Sequence, residues 1–332
     1  MPGAERLRLQ WRPYRFTLPQ AMVTSQGAWS ERCGWLLRLE AGEGRLGWGE
    51  AAADPANGGA EALAAAIAAL TADLDGQALE RQALEALLPS VPASMACAIG
   101  MALAELDGLG SPGAGGWRSA PPSALLLPAG EAMLPALDQA LAAAVAAGQA
   151  PTVKWKVAAA DDGLERRLLE ALLQRLPPAG RLRLDANGGW DRPTAVAWAR
   201  RLAAEPRLDW LEQPLPPGDP AGLEALAVQL PVALDESLRD PLGPPAAWPG
   251  WQVRRPLLEG DPRPLLAALQ GGTPRLMLST ALETGIGARL LQHLAALQVQ
   301  GPTPTAPGLA PGWCPGGDLF AADPERVWGA VA

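Results

Sequence analysis

The fold is decided by four short apolar runs in the middle of the chain: Thr152-Val153-Lys154-Trp155-Lys156-Val157, Arg181-Leu182-Arg183-Leu184-Asp185, Asp209-Trp210-Leu211-Glu212 and Val232-Ala233-Leu234-Asp235. Each is strand-sized and ends on charge, and helical stretches such as Asp161–Leu176 and Arg192–Ala204 lie between them. Strands separated by helices pair in parallel. The same rhythm reaches outward to Ser123–Leu127 on one side, and to Trp251–Arg255 and Arg275–Ser279 on the other, with the helix Thr284–Leu297 after the last. Seven such units, and a poorly defined eighth near Pro302–Pro307, predict a (β/α) barrel over residues 121–311. Pro241–Gly250, between the fifth and sixth strands, reads as barely helical.

Residues 1–120 read differently. Leu7–Leu18 and Gly34–Glu40 are expected strands around a polar loop at Thr24–Gly27, and Arg45–Glu50 continues the meander. Ala60–Leu74, Leu79–Leu88 and Ala93–Leu109 read as helices, which makes an α+β domain. Gly110–Pro122, with seven glycines or prolines, marks its edge. The tail, 312–332, is expected to return to this first domain. The fold class is therefore α/β, a barrel with an N-terminal α+β capping domain.

Composition narrows the function. Hydrophobic residues make up 48% and charged residues 19%, which suits a packed globule. The net charge is −8 and no basic stretch interleaves with aromatics, so no nucleic-acid partner is expected. The apolar stretches are too short or too alanine-rich for a membrane span, and the N-terminus does not read as a signal peptide. Cys33, Cys97 and Cys314 are widely spaced and suggest neither disulfides nor zinc, so a cytoplasmic setting is expected. His293 is the only histidine and is expected to be a surface or packing residue.

Of 27 lysines and arginines, only Lys154 and Lys156 are lysine. A solvated lysine exchanges for arginine at little cost; a lysine that must lose a proton does not. Their spacing of two places both on one face of a strand, here the barrel interior, and points Trp155 outward. Mutual repulsion is expected to lower the pKa of one of them. Asp185, Glu212 and Asp235 end consecutive strands, 27 and 23 residues apart. One such acid could simply cap the next helix. Three together, beside two lysines, point to a hard cation held by oxygen alone, as Mg²⁺ prefers. A neutral lysine beside a carboxylate so bound is a competent base for its α-proton.

Lys154-Trp155-Lys156, Asp185-Ala186-Asn187, Glu212-Gln213-Pro214 and Asp235-Glu236-Ser237, in this order and spacing, resemble the enolase superfamily, muconate-lactonising branch. Within that branch they resemble the o-succinylbenzoate synthases. Supporting pieces are Gly47-Trp48-Gly49-Glu50, Pro89-Ser90-Val91, Ala102-Leu103-Ala104-Glu105, Asp235–Arg239 and Ser279–Gly285, so the resemblance spans nearly the whole chain. It implies Lys156 as acid/base and Lys154 as its tuner and a substrate contact. It implies Asp185, Glu212 and Asp235 as ligands of Mg²⁺, with Mn²⁺ as a substitute, and Asn187 and Glu236 just behind them. Ser279 and Thr280 would touch a succinyl carboxylate, and Gly308 would lie on the last barrel loop. The loop at Thr24–Gly27, with Arg32 after it, would form a mobile lid. The implied substrate is a small carboxylate, and the product a menaquinone or phylloquinone precursor; oligomeric state is left open.

Arg255 departs from the pattern, because the family carries lysine there. Arginine does not act as a base but can fix a cation over the substrate. Racemisation and epimerisation need a base on each face of the α-carbon, whereas a syn dehydration needs one. The departure therefore favours a synthase over an N-acylamino-acid racemase or a dipeptide epimerase, and leaves a cycloisomerase of the branch as the rival. A non-catalytic barrel kept for binding is the alternative from another class.

Overall fold

Two sheets organise the chain in this computed structural model, which describes residues 5–54, 58–74, 77–240 and 248–331. Pro241–Gly250, read from the sequence as barely helical, falls mostly outside the described residues.

The first sheet is an antiparallel meander of β1 (Arg6–Thr24), β2 (Gly27–Glu40) and β3 (Leu46–Ala52), with the short β4 (Leu79–Glu80) on the outer edge of β1. Helices α1 (Gly59–Leu74), α2 (Arg81–Leu87) and α3 (Ala93–Leu106) cover it, packing Leu37, Leu39, Leu63, Met95 and Ile99 together. α3 lies close because β3 presents glycines to it. A Cβ on Gly47 or Gly49 would fall 2.1 Å and 2.0 Å from the carbonyl oxygens of Ala102 and Ala98.

The expected polar loop between two short strands is instead a two-stranded arm. Pairing resumes after an irregularity between Thr17 and Met22 and runs through Met22–Trp29 to Thr24–Gly27, leaving only Ser25 and Gln26 as the turn. The arm projects beyond the sheet core, and residues 27–31 are exposed on both faces. The alternation that marks a half-buried strand is therefore missing from its sequence.

The second sheet is parallel and takes its strands in chain order: β5 (Leu125–Leu127), β6 (Thr152–Lys156), β7 (Arg181–Asp185), β8 (Leu208–Glu212), β9 (Val232–Leu234), β10 (Trp251–Arg254) and β11 (Leu276–Leu278). Helices α4 (Met133–Ala146), α5 (Asp162–Arg175), α6 (Arg192–Leu202), α7 (Pro220–Ala227), α8 (Arg263–Gln270) and α9 (Gly285–Gln298) surround it. Inside the ring, Trp210, Ala233, Val253 and Met277 form a small core.

The eighth strand expected near Pro302–Pro307 does not form. It shrinks to one bridge between Ser279 and Gly308. Prolines 302, 304 and 307 have no N–H to give a ladder. Closure is nonetheless made, because the Ala124 N–H donates to the Pro307 carbonyl (2.8 Å) and the Gly308 N–H to that of Leu278 (2.7 Å). Arg183, fully buried, fills the gap. It stacks 4.1 Å over the Trp210 ring and donates to Asp209 (3.0 Å), the Ala306 carbonyl (2.8 Å) and Thr305 Oγ1 (2.7 Å).

The terminal helix α10 (Pro324–Gly329) lies against the first sheet. Arg12 donates to the carbonyls of Trp328 and Val331, both at 2.9 Å, and the Trp48 and Trp328 rings meet edge to face at 5.7 Å.

Candidate active site

Strand register assembles the centre of the site. Lys156 pairs with Asp185 and Asp185 with Glu212, so one row crosses the carboxyl ends of β6, β7 and β8. Asp235 follows the end of β9 directly. Its backbone N–H and that of Ser237 are both held, at 3.1 Å, by the Oε1 of Gln213. The side chains of Asp185, Glu212 and Asp235 are almost wholly buried.

Each carboxylate faces a cation. Lys156 Nζ lies 2.5 Å from Asp185 and 2.8 Å from the Asn187 Oδ1; Lys154 Nζ lies 2.8 Å from Asp185 and also bonds Glu212. Arg255 forks onto Asp235 through Nε (3.0 and 2.9 Å) and Nη2 (2.6 Å), and its Nη1 donates to the Thr280 carbonyl. Arg239 bridges Asp235 (3.5 Å) and Asp54 (3.4 Å).

The electrostatics follow from burial set against these partners. Burial lowers the Lys154 pKa, but Asp185 and Glu212 outweigh it and hold the ammonium above its ordinary value. For Lys154 the nearest charges are opposite ones, and they decide the direction. Burial lifts Asp185, yet Lys154 and Lys156 bring it well below the usual carboxylate range. Glu212 has the weaker share of lysine and rises to about 7, through burial and the charge of Asp185. Asp235 is lowered against its burial by Arg255, and Glu236 is pushed up to about 6 by burial and Asp235.

As they lie, the three carboxylates turn to cations, Asp185 and Glu212 to the lysines with Lys154 between them, and Asp235 to Arg255. Among the described residues no three histidine, cysteine or acidic side chains converge closely enough to hold a metal. The donor chemistry does fit Mg²⁺: three buried carboxylates, oxygen alone, on adjacent strand ends. Glu236 Oε2, buried and without a hydrogen-bond partner beside them, adds a further hard acceptor.

The other expected residues divide. Asn187 sits in the site, with Nδ2 donating 2.9 Å to Glu236. Its carbonyl accepts from Ser25 Oγ and Gln26 Nε2, both at 3.0 Å, so the tip of the β1–β2 arm rests on it. Ser279 and Gly308 meet at the barrel closure. The Thr280 hydroxyl is already committed to Glu283 and to the Leu282 N–H (2.7 Å). Arg32 stays in the first sheet, buried. Its Nη1 donates to the Ala53 carbonyl (2.9 Å), while Nε and Nη2 have no hydrogen-bond partner. His293 is a packing residue: its Nδ1 accepts from the Arg118 N–H (3.3 Å) and its ring meets Trp117 edge to face.

Three contributors escaped the sequence reading. Gln213 and Arg239 lie inside or beside the quoted motifs, but only the fold shows what they hold. Trp210, whose Nε1 is 3.4 Å from Glu212, reads along the chain as one more core aromatic.

Residues 136–243 match the family model described as enolase C-terminal domain-like. The chain is 38% identical over 299 residues to an o-succinylbenzoate synthase of Thermosynechococcus vestitus, covering 87% of this chain and 88% of that one. It is 31% identical to an o-succinylbenzoate synthase of Pectobacterium atrosepticum over 85% of each. The crystal structure of o-succinylbenzoate synthase from Thermosynechococcus elongatus BP-1, with Mg in its active site, superposes with a TM-score of 0.76 at 33% identity, over 98% of this chain and 100% of that one. A dipeptide epimerase from Enterococcus faecalis, at 21% identity and a TM-score of 0.72, shares the fold.

Proposed function

We infer the reaction from one premise: this chain belongs to the enolase superfamily, among the o-succinylbenzoate synthases of its muconate-lactonising branch. The chain is a lyase that removes water from 2-succinyl-6-hydroxy-2,4-cyclohexadiene-1-carboxylate to give o-succinylbenzoate. The observation that carries the reading is the row Lys156, Asp185, Glu212 at the strand ends, in a chain 38% identical to such a synthase.

Asp185, Glu212 and Asp235 would hold Mg²⁺, or Mn²⁺ in its place, which would bind the ring carboxylate and stabilise the negative charge that develops on it. Those carboxylates are the groups that keep Lys154 charged. Lys156 would take the α-proton as the base. Its position is set by Asn187 and Asp185. As an ammonium it returns that proton to the hydroxyl leaving from the same face, so one proton and one hydroxide depart as water and the ring becomes aromatic. Lys154 is the cation nearest the developing charge. Arg255, held by Asp235 and the Thr280 carbonyl, supplies fixed positive charge and no second base. Dehydration needs only one base, and that favours it over racemisation. Ser279, Thr280 and Arg32 are proposed substrate contacts, and Gly308 leaves room for the succinyl chain. The arm tip over Asn187 is the proposed lid. The product would feed menaquinone or phylloquinone synthesis, in a cytoplasmic setting consistent with three unpaired cysteines.

The test is turnover of the cyclohexadiene carboxylate with Mg²⁺, beside Lys156→Ala. Conversion that needs Mg²⁺ and is lost in the variant supports the reading. A folded, Mg²⁺-binding wild type that converts only N-acylamino acids or dipeptides would overturn it.

A further inference from the structure

Glu50 lies within β3, in the N-terminal sheet, and is fully buried. Both its oxygens accept from the start of α9, 234 residues away. The Thr284 N–H lies 3.0 Å from each, Thr284 Oγ1 donates at 2.5 Å and the Gly287 N–H at 2.9 Å. Tyr14 adds its hydroxyl at 2.7 Å from within the sheet. None of these partners is a cation. Every one is a donor, so a carboxylate, which only accepts, is the group that suits them. The end of a helix rich in free N–H groups favours it further. Gly287 has to lack a side chain here, since a Cβ would sit 2.7 Å from Glu50 Oε2.

What Glu50 holds is the turn between β11 and α9. That turn is braced internally. The Ala281 N–H donates to Glu283 Oε1 (2.6 Å), the Thr280 hydroxyl bonds the other Glu283 oxygen, and Leu282 sits at φ 64°. A braced turn moves as a unit. On the barrel side it reaches the site through the Thr280 carbonyl, which receives Arg255, the residue forked onto Asp235. On the side of the N-terminal sheet its bonds run to Glu50.

We propose that Glu50 is a positioning residue of the active site: from the N-terminal sheet it sets where the turn Ser279–Thr284 stands over the barrel mouth, and with it Ser279, the Thr280 carbonyl and Arg255. This rests on the reading of that turn as substrate-facing. The seating of the two domains on one another thereby becomes part of substrate recognition.

Two variants of the full chain separate this from plain stability. Tyr14→Phe removes a Glu50 bond on the sheet side; Thr284→Val removes one on the turn side. Both should lower the melting temperature. Thr284→Val and Glu50→Gln should raise KM about tenfold or more with kcat changed less, because the loss is in binding. Tyr14→Phe should leave KM within about twofold, and Thr284→Ser should restore it. Hydrogen exchange over 279–284 supplies a readout that needs no substrate: faster in Thr284→Val than in Tyr14→Phe. Equal exchange there, or equal KM shifts in the two variants, overturns the proposal. If Ser279→Ala leaves KM unchanged while the exchange difference holds, Ser279 is not a substrate contact and Glu50 still positions the turn.

Discussion

Two of the places where the molecule buries acidic groups treat them in opposite ways. At the strand ends Asp185, Glu212 and Asp235 face lysine and arginine; where β3 meets the start of α9, Glu50 faces only hydroxyl and amide donors. The first arrangement holds Asp185 and Asp235 below the ordinary carboxylate range, and the second leaves Glu50 raised by its burial. Opposed charges can be redistributed when a cation or a substrate carboxylate arrives. Neutral donors fixed to a helix end cannot, and they tie the first sheet to the head of α9. Buried acid is therefore no sign of chemistry by itself; the sign is mobile charge beside it.

The largest expected effect probes the charged cluster. Lys156→Ala should lower kcat by about a thousandfold or more, the scale of a lost general base, while the protein stays folded. Retained activity would make the cluster as passive as the Glu50 junction. Next comes Arg183, a buried cation with no expected role in chemistry. Arg183→Met should cost about 3 kcal/mol of stability, because Asp209 and the Ala306 carbonyl lose their partner. Urea unfolding reads this directly, and Mg²⁺ binding by calorimetry should stay within about twofold of wild type.

A third measurement concerns Glu105, which ties α3 to Arg289 of α9. Burial lifts its carboxyl to about 7, with Arg289 opposing. The folded protein thus keeps this proton between the ordinary carboxylate pKa and about 7, where the unfolded chain has lost it. The stability involved is full below the unfolded pKa and falls as pH rises through that window, by roughly 3 kcal/mol at most. Glu105→Gln should flatten that fall in unfolding midpoints taken across the window; an unchanged slope would assign it elsewhere. The smallest effect belongs to Tyr14→Phe, about 1 kcal/mol of stability for one hydrogen bond to a buried carboxylate. A loss several times larger would mean that Glu50 depends on Tyr14 as heavily as the strand-end acids depend on their cations.

Much of the site was legible in one dimension because parallel strands turn sequence spacing into neighbourhood. Acids about one βα unit apart end up side by side, and lysines two apart share a face. The absence of any other lysine made Lys154 and Lys156 conspicuous. The arm of β1 and β2 was harder to read, since a hairpin exposed on both faces carries no alternation. The eighth strand misled for a related reason: the length was there, but its prolines could not donate to a ladder, and Arg183 took over the closure.

By itself the sequence determined the repeating units and placed Lys154, Lys156, Asp185, Glu212, Asp235 and Arg255 at the strand ends. These are local, set by periodicity and residue type. The tertiary structure alone decided that Lys154 is held charged by Asp185 and Glu212, that the arm tip rests on the Asn187 carbonyl, and that Glu50 reaches across 234 residues to the head of α9. Such contacts depend on how the two sheets and their helices seat on one another, and no periodicity along the chain records that distance.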